Sequence, residues 1–475
     1  MSHEPKLTPR SSRHPRAASL LFRGRTLSHD LMGRFPDHEP DTVQEPTPVL
    51  SYKLGALHIA VCRKNTAVDC SCELIEEEES EFEKQVALQW DRATKQKVFN
   101  YKLNLMYKLL PGRYLFSAQL NAERGNLRRK PHAFKSLDDA FDNRRFNYHK
   151  IRRREVLLDL RCTDRPVTDD PLDRHMIIAN ASPVERWHCL VLPAIDLCYI
   201  QRITPECVRL MLDTLLLTRS TKLTILFNSL LAFASVNHQH FHLVFWPYQT
   251  PLIRKPVEHI ECGVHALYAP DPWFVPAFVL QLQSRDFIGA FIRTTTAVAN
   301  FLHASGVPHN VFMCRAPALT IVEGDEARRH WDDRQLMIRR LGKHDPQYAT
   351  MYIFPRKSVP GAKPMNKFSP AACELAGNLL VYNERFFHNL NEKDVLRIIE
   401  DEAGLPLGAF DTLVSTLRQH LLVATQESSK DVPFLCALSN NHPDLRLPDG
   451  SIPSVNHNVI EESLGAGMSF GAFLE

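Results

Sequence analysis

Histidines that alternate with other residues are the part of this sequence best suited to do chemistry. His238, His240 and His242 fall within residues 237–242, whose order is Asn-His-Gln-His-Phe-His. This spacing does not suit a helix, in which side chains three or four residues apart are neighbours, whereas a strand sends alternate side chains to one face. We therefore predict a strand whose imidazoles share a face that opens into a cleft. The opposite face, with Gln239, Phe241, Leu243 and Phe245, is mostly apolar and is expected to cover a core.

Three interpretations of this histidine row compete. Local hydrogen bonds could satisfy each ring, which is the usual fate of a lone histidine but suits an aligned set less well. Histidines on a strand could also hold zinc, although no carboxylate or cysteine lies near them in sequence to complete the site. In phosphoryl chemistry, a neutral imidazole attacks phosphorus and flanking imidazoles donate to phosphate oxygens, so a covalent phosphoramidate divides one displacement into two. The spacing favours this third interpretation.

The histidine segment resembles the signature of the histidine-triad superfamily, in which histidines alternate with mostly apolar residues. Residues 227–238 more specifically resemble the GDP-hexose phosphorylases, which act on GDP-D-glucose or, in plants, on GDP-L-galactose. The resemblance covers the chain in patches between residues 50 and 415. Outside the histidine segment these patches are residues 110–121, 128–131, 141–150, 176–188, 310–315, 351–357 and 373–377.

This resemblance implies a fold, a reaction and a set of site residues. The fold would be α+β, with two histidine-triad-like halves of antiparallel sheet and flanking helices, of which only the first bears the triad. The enzyme would be a nucleotidyltransferase that converts GDP-D-glucose and phosphate to glucose 1-phosphate and GDP without a metal or redox cofactor. His240 would be the nucleophile, and His238 and His242 would contact phosphate oxygens or orient it. The further nucleotide- or phosphate-binding candidates are Ser235, Asn237, Asn228, Ser229, Gln119, Asn121 and His188.

Two residues before His188 depart from the family pattern Asn-x-Ser-Pro-[Ile/Val]-Glu-Tyr-Gly-His. Arg186 and Trp187 stand where the pattern has Tyr and Gly, while Asn180, Ser182 and His188 match it. A tryptophan in place of a glycine adds a large ring where the backbone approaches closely, so the family pattern does not predict the shape of the pocket here. The alternatives therefore stay open: a GDP-L-galactose phosphorylase, or a catalytically weak nucleotide-binding or zinc-binding relative.

Composition limits the remaining classes of function. The 475 residues are 44% hydrophobic and 23% charged, which is enough to build a substantial core and excludes a chain disordered throughout. The 57 basic and 54 acidic residues leave a net charge of +3, so no overall field favours nucleic acid or an anionic membrane as a partner. The eleven cysteines are scattered and show no Cys-x-x-Cys spacing. We expect a soluble, cytoplasmic protein whose partners are a GDP-hexose and phosphate.

The chain divides into a leader and two halves. Residues 1–48 are basic and rich in proline, and we interpret them as a disordered leader. Residues 49–250 form the expected first half with the catalytic motif, and residues 251–475 the second half, with a charged insertion near 325–343. Apolar periodicity predicts a helix through Phe82, Val86 and Trp90, another over residues 205–219, and a strand over residues 222–227.

Overall fold

The structure is a computed structural model that describes residues 46–62, 79–129, 131–164, 174–323, 346–360 and 367–428. The leader up to residue 45 and the charged insertion near 325–343 lie outside these ranges. Among the described residues, no helix is long and apolar enough to span a membrane.

Strands and helices alternate along the described chain. The strands are β1 Val49–Tyr52, β2 Ala60–Cys62, β3 Met106–Leu109, β4 Ser117–Leu120, β5 Val156–Cys162, β6 His175–Ala179, β7 Cys189–Leu192, β8 Leu223–Asn228, β9 Phe241–Phe245, β10 Glu258–Glu261, β11 Val264–Leu267, β12 Ala277–Leu282, β13 His309–Ala316, β14 Pro346–Pro355 and β15 Asn378–Val381. The α-helices are α1 Glu81–Lys95, α2 Ala122–Leu127, α3 Pro205–Leu216, α4 Ile288–Ala304, α5 Ala372–Leu375, α6 Glu384–Asn389, α7 Glu392–Ala403 and α8 Ala409–Ser428.

One large sheet joins two halves that share a connectivity. Its strand order is β1-β5-β6-β7-β9-β8-β13-β14-β12-β11-β10, with β2 added on β14, and the described pairs are antiparallel except β1 with β5. Strands β5 to β9 are ordered 5-6-7-9-8 with α3 before β8, and β10 to β14 are ordered 10-11-12-14-13 with α4 before β13. The halves meet where β8 pairs with β13. The predicted α+β class with two related halves is therefore confirmed.

The predicted helix around Trp90 is α1, and its sequence explains where it begins. The Ser80 side chain accepts a hydrogen bond from the Glu83 amide, and the Glu83 carboxylate accepts from the Ser80 amide, which forms a capping box. Phe82, Val86 and Trp90 then recur at four-residue spacing and are buried against the sheet. The apolar residues that recur in the sequence thus form the face that α1 packs onto the core.

The second predicted helix is α3, which begins at Pro205 as expected and ends at Leu216, three residues before the predicted end. The Thr204 hydroxyl caps it by accepting from the Cys207 amide at 3.2 Å, and Pro205 occupies the first turn, where its missing N–H costs nothing. The helix is buried over most of its length because it lies between the sheet and α4.

The large sheet has a different layer on each face. Helices α1, α3, α4 and α8 cover one face around a large apolar core. A three-stranded sheet of order β15-β4-β3, with helices α5, α6 and α7, covers the other face around a second core. On β9, Phe241, Leu243 and Phe245 enter the first core, whereas Val244 enters the second. His242 and Val244 therefore face the layer that contains β4 and β15.

The predicted histidine strand is shorter than expected. Strand β9 begins only at Phe241, so His242 lies on it, His240 directly precedes it, and His238 lies in a bend. Strand β8 ends at Asn228, and the last direct register pair between the two strands joins Leu226 with His242. The prediction that a single strand carries all of residues 238–242 is therefore wrong, because β9 loses its neighbour before His240 is reached.

Candidate active site

A pocket opens between the large sheet and the layer that contains β15. One wall comes from the first half of the fold and includes His188, Leu226, Asn228, Ser235, His240 and His242. The facing wall comes from residues 369–382 and includes Ser369, Ala371, Ala372, Glu374, Leu380 and Tyr382. Arg124, on α2, and Arg128, which directly follows it, also line the pocket, as does His132. The wall from the first half thus contributes imidazoles, residues 369–382 contribute the Glu374 carboxyl group, and α2 and its end contribute guanidinium groups.

His240 is held as a neutral ring with one bare nitrogen. The side chain is only 3% exposed, and its Nδ1 lies 2.8 Å from the His238 carbonyl oxygen. A carbonyl can only accept, so Nδ1 carries the proton and Nε2 of the neutral ring keeps its lone pair. Burial lowers the pKa of His240 to about 4, because the interior disfavours the charged form. Within the described residues, Nε2 has no hydrogen-bond partner, so its lone pair remains available.

His242 has the opposite tautomer, which a chain of hydrogen bonds imposes. The Val184 amide donates to Nδ1 of His188 at 2.9 Å, so the proton of neutral His188 is on Nε2. That Nε2–H donates to Nδ1 of His242 at 3.0 Å, which leaves the His242 proton on its own Nε2. Burial lowers the pKa of both rings well below the usual value, so both are neutral. His240 and His242 therefore give the pocket one bare imidazole nitrogen and one imidazole donor, on rings whose centroids are 5.4 Å apart.

His238 lies outside the pocket lining. Its Nδ1 accepts from the Tyr148 amide at 3.2 Å, and its Nε2 lies 3.1 Å from the Ile195 carbonyl. Both ring nitrogens thus have partners in the protein, and the ring packs beside Tyr148 and Phe141. The backbone carbonyl of His238, rather than its imidazole, is the group that reaches His240. The expectation that all the imidazoles would share one face is therefore wrong, because the chain turns between His238 and β9.

The structure also brings together the side chains that the zinc interpretation lacked. The ligand atoms of His149, Cys198 and His238 lie within 4.8 Å of one another, although these residues are distant in sequence. The Nε2 atoms of both histidines, however, point at the Ile195 carbonyl, at 2.9 and 3.1 Å. Both nitrogens are donors in this arrangement, so a metal ion would have to displace these hydrogen bonds before it could take the lone pairs.

The other predicted site residues divide between the pocket and its support. Asn228 and Ser235 line the pocket. The Asn228 Oδ1 accepts from the Asn310 side chain at 2.7 Å and from the Ala372 amide at 3.1 Å, which leaves its NH₂ group to donate. Asn237 and Ser229 instead bind backbone groups behind the wall: the Asn237 Oδ1 accepts from the Gln201 amide, and the Ser229 hydroxyl accepts from the His309 amide.

Gln119 and Asn121 also lie behind the pocket. The Gln119 side chain is fully buried and donates to Glu185 and Tyr107, both at 3.2 Å. Asn121 caps α2 by accepting from the Arg124 amide at 3.1 Å, and its NH₂ group donates to the Pro183 carbonyl at 3.2 Å. Asn121 thus fixes the helix that presents Arg124 to the pocket.

Positive charge in the pocket comes from arginines, since the imidazoles are neutral. The Arg124 guanidinium donates to the Ser182 carbonyl, and Arg128 lies over the Tyr382 ring, with 5.9 Å from its guanidinium carbon to the ring centroid. Burial lowers the pKa of Arg128, yet the ordinary value is so high that the side chain stays charged. The sequence showed Arg128 only as part of a basic stretch and gave no reason to select Arg124. The position of Arg124 depends on α2, which Asn121 caps.

Glu374 is a buried carboxyl group that sequence reasoning did not single out. It is 2% exposed, and its oxygens accept from the Ala371 amide at 3.1 Å and from the Leu380 amide at 3.4 Å. Burial raises its pKa to about 7 despite these hydrogen bonds. An acidic residue inside the apolar segment 371–377 was the available signal, because such a residue is seldom buried without a reason.

This chain is similar in sequence to known proteins of one family. The family described as "GDPGP1-like, N-terminal domain" matches residues 81–244. GDP-D-glucose phosphorylase 1 of Caenorhabditis elegans is 41% identical over 361 residues, which are 75% of this chain and 72% of that protein. The human GDP-D-glucose phosphorylase 1 is 31% identical over 68% of this chain and 80% of its own length. The chain belongs to the GDP-D-glucose phosphorylase family.

Two proteins with lower sequence identity are also similar to this chain. GDP-L-galactose phosphorylase 1 of Arabidopsis thaliana is 26% identical over 75% of this chain and 78% of its own length. Among solved structures, yeast Ap4A phosphorylase Apa2 in complex with Ap4A is 14% identical with a TM-score of 0.45, over 69% of this chain and 98% of that one.

Trp187 departs from the pattern of this family without entering the pocket. Its backbone has φ of +65°, a left-handed conformation in which glycine is favoured, which explains why a glycine can stand at this position. The indole packs against Phe245 at 5.4 Å between ring centroids, in an edge-to-face arrangement. Phe245 belongs to the helix-covered core, on the side of the sheet away from His242. The Trp187 ring is therefore not part of the described pocket lining.

The first prediction concerns the protonation of His240. In protein labelled with ¹⁵N-histidine, its NMR signals, assigned by their loss in His240→Gln, should show a neutral ring with the proton on Nδ1 down to pH 5.5. An ordinary imidazole would be about nine-tenths protonated at that pH. Since the pKa is lowered to about 4, protonation should begin only as the pH falls further. A ring protonated at pH 5.5, or one with its proton on Nε2, would contradict the geometry.

The second prediction tests where the Trp187 ring lies. Trp187→Gly should relieve about 1 kcal/mol of backbone strain and lose roughly 1.5–3 kcal/mol of ring burial, so the free energy of unfolding should fall by roughly 1 kcal/mol. Urea denaturation measures this change. Because the ring faces away from the pocket, the His240 NMR titration should not move. A shift in the His240 pKa would show that Trp187 does shape the pocket.

Proposed function

We propose that this protein catalyses the phosphorolysis of GDP-D-glucose, with glucose 1-phosphate and GDP as products. The observation that carries the proposal is the neutral His240 ring, whose Nε2 is bare in a pocket that also contains Arg124 and Arg128. Such a ring suits nucleophilic attack on phosphorus. The substrate follows from the relatives named GDP-D-glucose phosphorylase 1, one of which is 41% identical to this chain.

In the first step, Nε2 of His240 attacks the α-phosphorus of GDP-glucose. A phosphorus–nitrogen bond forms, and the bond from the α-phosphorus to the bridging oxygen breaks. Glucose 1-phosphate leaves with that oxygen and its electron pair, and GMP remains on His240. The ring gains positive charge as it attacks, and the hydrogen bond from Nδ1–H to the His238 carbonyl stabilises this charge.

In the second step, an oxygen of inorganic phosphate attacks the same phosphorus. The phosphorus–nitrogen bond breaks, its electron pair returns to Nε2 of His240, and GDP leaves. His242 offers its Nε2–H to a phosphoryl oxygen in both steps, and the Asn228 NH₂ group offers a second neutral donor. Arg124 and Arg128 supply the positive charge that the neutral imidazoles do not. We assign Ser235, whose side chain is exposed at the pocket, a minor donor role.

GDP-L-galactose is the alternative substrate of the same reaction. It differs from GDP-D-glucose only in the sugar that departs, whereas the groups described above act on the phosphates. The identity to the plant GDP-L-galactose phosphorylase 1 is 26%, against 41% to the nematode GDP-D-glucose phosphorylase 1, which favours GDP-D-glucose. A panel of GDP-hexoses with phosphate as acceptor decides between them.

The third prediction is that the reaction follows a ping-pong course. Labelled glucose 1-phosphate should exchange into GDP-glucose without added phosphate, because the first step is complete and reversible without it. Double-reciprocal plots against GDP-glucose at several phosphate concentrations should be parallel. His240→Ala should lower exchange and turnover by at least about a thousandfold, since it removes the nucleophile, while GDP still binds.

His388→Ala is the matched control for this variant, because the His388 side chain is 54% exposed on α6, lies 3.8 Å from the Glu384 carboxylate and is not among the residues that line the pocket. It should keep full activity. Phosphorolysis without exchange would contradict the covalent intermediate and favour direct displacement by phosphate. If GDP binds but no GDP-hexose is converted, the protein is a nucleotide binder rather than an enzyme.

A further inference from the structure

We propose that Gln201 is a positioning residue, which fixes the backbone of His240 and so aims its Nε2 at the phosphorus. The inference rests on the proposed function, since it concerns the nucleophile of that reaction. Gln201 lies in the segment between β7 and α3, distant in sequence from the histidines, and is 2% exposed. Neither its sequence position nor its residue type had marked it as part of the site.

The Gln201 side chain binds both backbone polar groups of His240. Its Oε1 accepts from the His240 amide at 2.9 Å, and its Nε2 donates to the His240 carbonyl at 2.9 Å. The same Nε2 donates to the Asn228 carbonyl at 3.1 Å. The Gln201 backbone amide donates to Oδ1 of Asn237 at 2.9 Å, which ties the clamp to the turn before His240. A single amide side chain therefore binds both the backbone N–H and the backbone C=O of the proposed nucleophile, His240.

These contacts replace a strand pair that the sheet does not form. The register of β8 and β9 joins Leu226 to His242, and two residues further it would place Asn228 opposite His240. The strands have separated at that point, and the Gln201 amide stands between the two carbonyls and donates to both. His240 thus leaves the sheet without losing its backbone partners, which buried polar groups require.

This position couples Gln201 to the chemistry without contact to the substrate. The His240 ring is oriented by its own backbone and by the bond from Nδ1–H to the His238 carbonyl, two residues away. Asn228, the other residue that the Gln201 amide holds, presents its NH₂ group to the same pocket. Release of the clamp would let His240 and Asn228 move apart, and a displacement of about 1 Å at a reacting group can cost about a hundredfold in rate.

Two substitutions separate the donor and acceptor roles of Gln201. Gln201→Met keeps the length of the side chain and removes its hydrogen bonds. Gln201→Glu keeps an acceptor for the His240 amide but sets a second oxygen against the carbonyls of His240 and Asn228. Gln281→Met is the matched control, because Gln281 on β12 also accepts from an amide, that of Leu319 at 3.2 Å, and donates to a carbonyl, that of Pro317 at 2.8 Å.

The fourth prediction is a split between catalysis and binding. The full chain is mixed with saturating GDP-glucose, and the rate of GMP transfer to the protein is measured in a single turnover, per active site. Gln201→Met should lower this rate about a hundredfold and Gln201→Glu at least about tenfold. The dissociation constant for GDP should change less than about threefold in both, because Gln201 lies behind the pocket wall. Gln281→Met should keep the rate of the unmodified protein.

Three results would overturn the proposal. One is a Gln201→Met rate no lower than that of Gln281→Met, which would reduce Gln201 to ordinary packing. Another is a loss of GDP affinity in proportion to the rate, which would mean a collapsed pocket. The third is an unchanged rate in Gln201→Glu, which also decides the question if Gln201→Met does not fold. Failure of the proposed function is distinguishable, since the unmodified protein would then acquire no GMP from GDP-glucose.

Discussion

The hydrogen bond from Nδ1–H of His240 to the His238 carbonyl is the interaction on which the site depends. It fixes the tautomer, and burial keeps the ring neutral, so Nε2 has a lone pair at neutral pH. Because these buried imidazoles are neutral, none of them supplies positive charge to an anionic ligand. The arginines of the described pocket lining are Arg124, on α2, and Arg128, which directly follows it, both outside the histidine segment. The proposed nucleophile, His240, and the arginines thus come from different elements, and the fold has to hold them together.

The two halves of the fold have unequal roles in this task. The first half provides His188, His240 and His242, whereas β14, which occupies the place of β9 in the second half, contains no histidine. The second half contributes the facing wall, from residues 369–382, and also supports the wall that contains His240. Arg356, fully buried after β14, donates to Oδ1 of Asn310 and to the Pro370 carbonyl, and Asn310 in turn donates to Asn228 in the pocket. Asn228, in the same wall as His240, is therefore braced by residues of the second half.

Local patterns in the sequence predicted the elements whose side chains repeat. Helices α1 and α3 and strand β8 followed from apolar spacing, because each packs one regular face on a core. The start of β9 could not be predicted in this way. It depends on where β8 ends and on a glutamine 39 residues before His240 in the chain, and no periodicity encodes such a contact.

For the candidate site, too, the sequence predicted the residues that follow a regular spacing but not those that depend on the tertiary fold. The spacing of the histidines marked His240 and His242, but the bend that turns the His238 ring away is a property of the loop, not of residue types. Arg124, Gln201 and Glu374 reach the site through the tertiary fold, from three separate stretches of sequence. The sequence left the position of the Trp187 ring open, because the direction of a single ring depends on its backbone, here with φ of +65°, and that angle cannot be derived from the residue alone.

The most direct test of this account is to locate the covalent GMP. The protein is incubated with GDP-glucose without phosphate, quenched in alkali because phosphoramidates are labile to acid, digested, and fragmented by a mass-spectrometric method that preserves the modification. The account predicts GMP on His240, approaching one equivalent per chain, and its release as GDP when phosphate is added before the quench. GMP on His238, His242 or His188, or phosphorolysis without any adduct, would contradict it.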